Sequence, residues 1–260
     1  FDVDGQLQRR LWAGHEIVTG LGYRVTSGAI TATAPAAFSP PTRTDNLYSF
    51  FIQDDVALLP DRVRLVAGTK VEHNAYSGLA VQPSARVAWL LDARSTVVSS
   101  VTRAQRIPSR VETDYTTGSV SNPAVPSFVR LQPNPDFRPE VLLAYELGYR
   151  LRGGAASFFT ASAFYNDLDN ILSTELLTPF VETEPPPARV VLPVTFANGL
   201  GGNSHGLELT GDVRPNRWWR VTGNYSFLRV RLSRQPGMAW PERIALGCEI
   251  ARLAREGELS

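Results

Sequence analysis

Between Val141 and Arg152 the chain reads VLLAYELGYRLR. Val141, Leu143, Tyr145, Leu147, Tyr149 and Leu151 fall on one parity; Leu142, Ala144, Glu146, Gly148, Arg150 and Arg152 fall on the other. A two-residue repeat belongs to a β-strand whose side chains alternate between two faces. One face is oily and the other carries both signs of charge, so the fold turns on what the oily face touches. A second sheet would make the molecule a soluble sandwich. Hydrocarbon would make it part of a transmembrane barrel, with the charged face lining the inside.

The same alternation recurs outward from this stretch. Ile17, Leu21, Tyr23 and Val25 oppose Glu16, Gly20, Gly22 and Arg24; Val63, Leu65, Ala67 and Val71 oppose Arg64, Gly68, Lys70 and Glu72. Leu207, Leu209 and Val213 oppose Glu208, Thr210 and Asp212, and Trp219, Val221, Tyr225 and Phe227 oppose Arg220, Thr222, Asn224 and Ser226. Asp54 breaks the oily parity of YSFFIQDDVAL, and STVVSSVTRA is ambiguous. The pattern predicts an all-β chain of about ten or eleven strands.

Composition excludes several classes. Lys and Arg number 26 against 25 Asp and Glu in 260 residues, a formal charge of +1, which gives no electrostatic footprint for nucleic acid. The single cysteine, Cys248, cannot form an internal disulfide and reads as a small apolar residue. No apolar run approaches the roughly 20 residues of a membrane helix, and FDVDGQLQRR lacks the features of a secretory signal.

Connections alternate in length. Tight links are expected at 12–14, 59–62, 91–94, 152–155 and 214–217. Broader excursions are expected at 27–45, 107–138, 173–197 and 231–239, with 75–80 as a short exception. An outer-membrane barrel has this asymmetry, with short periplasmic turns on one rim and longer outer loops on the other. Trp12, Trp89, Trp218 and Trp219 lie beside short links, where an interfacial girdle would put them. Packing in a sandwich core remains the alternative for them.

Several segments carry a resemblance to a known family. YSFFIQDDVALLPDRVRLVAGTKVEHNAYSG, QPSARVAWLLDARSTVVSSVTRAQRIPSR, YELGYR, ASAFYNDLDNIL and GNSHGLELTGDVRPNRWWRVTGNYSFL, in that order, resemble the barrel of TonB-dependent outer-membrane receptors. The resemblance covers residues 1–232. It implies an antiparallel up-and-down transmembrane β-barrel of about 22 strands, of which this chain supplies about half. It also implies a Gram-negative outer-membrane location and a lumen filled by an N-terminal plug domain that couples to TonB. The solute would be a small molecule or chelate of the siderophore, cobalamin or glycan type. No plug or TonB-contacting box is visible in the chain, and residues 233–260 lack alternation and read as an out-of-register or disordered end. A half barrel alone would leave unpaired edges in lipid, so isolated material is not expected to transport.

Catalytic signals are weak. GNSHG at 202–206 fits G-x-S-x-G around Ser204, but that motif needs a strand-turn-helix setting and an alternating strand follows. The family comparison instead makes NSHG a loop re-entering a strand. His15, His73 and His205 are scattered, and their acidic neighbours point to the opposite face of a strand, so no metal site is expected. GLG at 20–22 lacks the third glycine of a dinucleotide loop. No catalytic residue and no cofactor are expected.

Function then rests on surfaces. Parity assigns Glu16, Arg24, Lys70, Glu72, Glu146, Arg150, Glu208 and Asn224 to the lumen, to bond the plug or one another, or else the solute. In the outer loops, Arg106, Arg110, Tyr115, Phe128 and Arg130 are the candidates for ligand contact, with 173–197 as a second candidate segment. Three readings stand: an energised outer-membrane receptor in contact with lipid, a passive porin or structural barrel, and a soluble β-sandwich binding module.

Overall fold

A computed structural model of the chain describes residues 1–12, 14–33, 35–122, 127–153, 157–184 and 186–235. Ten long strands form one antiparallel meander. They are β1 (Asp2–Arg10), β2 (His15–Ala29), β4 (Thr42–Leu59), β5 (Val63–Asn74), β6 (Gly78–Leu90), β7 (Ser95–Arg106), β10 (Glu140–Gly153), β11 (Ser157–Leu176), β13 (Arg189–Asn216) and β14 (Trp219–Arg234). Four short strands, β3 (Ala37–Phe38), β8 (Tyr115–Asn122), β9 (Ser127–Gln132) and β12 (Phe180–Glu182), and one helical turn, α1 (Arg110–Asp114), lie in the long connections. The sheet is open, because β1 and β14 do not pair with each other.

Register across the wall keeps the parities aligned. Tyr145 lies opposite Val101 on one side and Tyr165 on the other, Tyr165 opposite His205, and Val101 opposite Ala85. A one-residue slip would move every oily side chain to the charged face, so this alignment defines the fold. The oily face has no second sheet against it: all the described strands join one sheet, and Leu7, Leu21, Trp89, Leu147, Tyr165 and Phe227 are exposed. That removes the sandwich reading. Trp12, Trp89, Trp218 and Trp219 are likewise exposed, near the short-turn rim.

The ambiguous STVVSSVTRA is strand β7, in register with both β6 and β10. GNSHG is not a loop: residues 202–206 lie inside β13, where Ser204 faces Asn166 and Val230 across the ladder. The broad excursions are also more ordered than expected. Segment 173–197 is mostly strand, since β11 runs to Leu176 and β13 starts at Arg189. β14 continues to Arg234, and the expectation for the rest of the tail falls, from residue 236 on, outside the described residues.

The buried apolar residues sit mainly with these connections. Phe137, Val190, Val191, Leu192 and Ala197 are buried, and Ala80 is their counterpart on the wall. Val190 to Thr195 pair in parallel with Ser127 to Gln132, β9 pairs with β8, and β8 with β3, so the long connections share one assembly on the rim away from the short turns. The Asn198 amide closes it by donating to the carbonyls of Arg138 (2.8 Å) and Asn170 (2.7 Å).

Candidate functional site: a polar wall and an outer loop assembly

The register places Glu16, Arg24, Lys70, Glu72, Glu146, Arg150, Glu208 and Asn224 on one face of the sheet, opposite to the oily one. Several are bonded on this face. Arg24 pairs with Asp2 of β1 at 2.6 Å, Lys70 with Glu72 of its own strand at 2.7 Å, and Gln82 of β6 donates to Glu72 at 2.9 Å. Gln8 donates to Glu16, and Ser100 donates to Glu146 at 3.3 Å. The sequence did not single out Asp55 with Arg64 (2.5 Å) or Asp212 with Arg220 (2.6 Å), which share this face. Arg150, Glu208 and Asn224 make no side-chain bond among the described residues.

Two aromatic rings on this polar face stand against glycines of the adjoining strand. A Cβ on Gly20 would stand 2.3 Å from the Phe51 ring, and one on Gly206 2.5 Å from the Phe164 ring, so only glycine leaves the rings room. This is a local reason for the first glycine of GLG and, with the Phe227 carbonyl 2.3 Å from such a Cβ, for the last glycine of GNSHG. Near the short-turn rim an open cavity of about 470 Å³ is lined by Asp92, Arg94, Ser100, Glu146, Arg150 and Arg152. With Arg94, Arg150 and Arg152 against two carboxylates, it is a net basic recess.

The five outer-loop candidates are brought into one assembly, each already engaged within it. Arg106 at the top of β7 donates to Glu140 (2.8 and 3.1 Å) and to Glu112 (2.8 Å), and lies 5.8 Å from the Phe137 ring. Glu112 completes a capping box on α1: the Ser109 amide donates to its carboxylate at 2.8 Å, and Val111 N donates to Ser109 Oγ at 3.3 Å. Burial works against the Glu112 carboxylate, yet the hydrogen bonds from Ser109 and Arg106 hold it below the usual range.

Arg110 donates to Asp114 (3.2 Å) and to the Pro40 carbonyl (2.6 Å), and its guanidinium lies over Phe38, which packs on Tyr115 at 4.9 Å. Arg43 joins them with two 2.9 Å bonds to Asp114 and one of 2.7 Å to Asp45. Tyr76 donates to Asp45 at 2.8 Å beneath the Arg43 guanidinium. Burial, aided by Asp45, pushes the Tyr76 phenol up to about 12. Arg130 forms a fork to Glu182 (2.9 and 2.7 Å), Arg189 donates to the same carboxylate at 2.7 Å, and the Arg189 guanidinium covers Phe128. The hydrogen bonds from Arg130 and then Arg189 lower Glu182 to about 2. These guanidinium groups lock the loops to one another, so ligand contact would fall to their outer edges and to the surfaces they position.

The comparisons bear on both faces. The family model described as "TonB dependent receptor-like, beta-barrel" matches residues 1–243. An "Iron-regulated outer membrane virulence protein" of Vibrio cholerae is 26% identical over 177 residues, 68% of this chain but 26% of that protein. Among solved structures, the siderophore receptor PirA of Pseudomonas aeruginosa superposes with a TM-score of 0.72 at 17% identity, covering 90% of this chain and 43% of that one. A variant of the ferric enterobactin receptor of the same organism, in complex with enterobactin, superposes with a TM-score of 0.68 at 18% identity, covering 87% of this chain and 35% of that one. The structural likenesses establish the fold, and the chain spans about a quarter of the curated relative's length.

Proposed function

The chain belongs to the TonB-dependent receptor-like β-barrel family of the Gram-negative outer membrane, and on that premise we propose that it is part of the barrel of an energised receptor for a scarce solute. The oily face meets lipid, and the polar face lines the lumen. There Glu16, Arg24, Lys70, Glu72, Glu146, Arg150, Glu208 and Asn224 bond an N-terminal plug domain, through which TonB supplies the energy. The solute is a small molecule or chelate, and a ferric siderophore is the first choice because the Vibrio relative is named for iron regulation and the similar solved receptors for siderophores.

The observation that carries this reading is the loop assembly. Three connections separated along the chain converge through the Arg106, Arg43 and Glu182 clusters into one ordered cap on the rim away from the tight turns. Ordering loops before a ligand arrives reduces the entropy lost on binding, which suits a receptor better than an open pore. The test is uptake of radiolabelled ferric siderophores by cells expressing the complete parent protein, with and without TonB. Uptake that needs both supports the reading; solute entry indifferent to TonB would favour a passive pore.

A further inference from the structure

The basic recess at the short-turn rim carries charge that the wall itself does not neutralise. Its floor is thin: Gly148 lies between Val98 and Ser162 on the polar face of β7, β10 and β11. At its rim the Arg152 amide donates to the Arg94 carbonyl at 2.9 Å, so these two arginines stand opposite each other. Arg150 follows two residues, about 7 Å, along the same face. Like charges directly opposed across a sheet are destabilising. Three guanidinium groups this close repel one another unless an anion lies among them.

The two acids of the recess are taken up by other donors. Asp92 accepts from the Arg94 (2.7 Å) and Ser95 (2.9 Å) amides and closes the turn, and Glu146 accepts from Ser100 at 3.3 Å. Arg94, Arg150 and Arg152 are exposed and form no ion pair among the described residues. β7 and β10 are interior strands, with β6 and β11 on their far sides. The turn that follows Arg152 reads Gly153, Gly154, Ala155, Ala156, without an acidic side chain. The compensating charge therefore comes from what fills the lumen, which these arginines face.

We infer that the recess docks an acidic segment of the plug domain, with its carboxylates placed among Arg94, Arg150 and Arg152 over the short floor. The site rests on the receptor reading and gives the chemistry of one plug contact within it. A carboxylate suits a guanidinium because the fork of N–H groups meets both of its oxygens. The recess is walled on one side only, so its occupant is backed by a body that fills the lumen. A solute held at the loop assembly stands at the opposite rim.

The test uses the complete receptor carrying Arg150→Lys, treated with a water-soluble carbodiimide and digested for mass spectrometry. The reagent joins an amine to a carboxylate in direct contact, forming an amide while the carbodiimide takes up the elements of water. The amine at position 150 should couple to an Asp or Glu of the plug. In that background Arg94→Glu with Arg152→Glu should cut the coupled fraction roughly tenfold, because like charges then face the plug acid. Arg94→Gln with Arg152→Gln, which removes charge without reversing it, should lower it roughly threefold. Coupling confined to Asp92 or Glu146, no coupling to the plug, or a coupled fraction unchanged by both pairs would overturn the docking site. TonB-dependent uptake by the same proteins separates the two levels. Uptake without plug coupling sinks the recess alone, whereas solute entry that ignores TonB overturns the receptor reading and the site with it.

Discussion

The wall and the loop assembly are built on opposite terms. Across the wall, Leu147, Tyr165 and Phe227 are exposed and order comes from long hydrogen-bonded ladders. In the loop assembly, Phe137, Val190 and Val191 are fully buried, and arginine–carboxylate pairs tie the connections to one another. The wall thus lacks a protein core of its own and depends on hydrocarbon for its oily face. The loop assembly has a small core of its own, of the kind found in soluble proteins.

Substitutions sharpen this contrast. The largest effect is expected for Phe137→Ala, which empties the centre of the loop assembly and should cost about 3–5 kcal/mol of its local stability. Hydrogen exchange should then accelerate in β9 and the start of β13 and stay unchanged in β5 and β6. Next comes Leu147→Arg, a charge on the oily face, expected to cost about 2–4 kcal/mol by denaturant titration of the complete protein in bilayers. Ser100→Arg on the opposite face should cost far less. Equal costs would erase the distinction between the faces.

A pH titration probes the loops more gently. Glu182 is held at about 2 in the folded state against an ordinary value of 4.5, so its contribution is complete above about 4.5 and is lost as pH falls from there through 2. Protease resistance of the 177–188 connection should fall in that window, and Glu182→Gln should remove the dependence. The smallest effect is expected for Tyr76→Phe, which deletes one hydrogen bond to Asp45 and should cost about 0.5–1.5 kcal/mol, read as faster exchange in α1.

The two regions also differ in how far the sequence reveals them. The wall is legible because a two-faced strand must alternate, and VLLAYELGYRLR does so from Tyr145 to Arg152. The exceptions have local causes: Asp54 on the oily parity is met by His15 at 2.8 Å, and β7 carries serines where its neighbours carry larger side chains. The loop strands have no such signal. Val190, Val191 and Leu192 are all buried, so both faces are covered and alternation disappears, while the prolines around them suggest irregular structure. One available sign was Ser109 three residues before Glu112, the capping box of α1. Sequence also grouped Arg106, Arg110 and Arg130 in the outer loops. Their partners Glu140, Asp114 and Glu182 were not legible, because the last pairing spans 52 residues and depends on the assembled fold.

The most direct measurement of what the oily face touches is a spin-label scan of residues 142–149 in the complete protein, reconstituted in bilayers with Cys248 replaced by serine. Labels at 143, 145, 147 and 149 should collide preferentially with oxygen dissolved in lipid. Those at 142, 144, 146 and 148 should favour a water-soluble relaxant or show the restricted motion of a filled lumen. Oxygen accessibility without a two-residue period, or with its maxima on the even positions, would contradict the account.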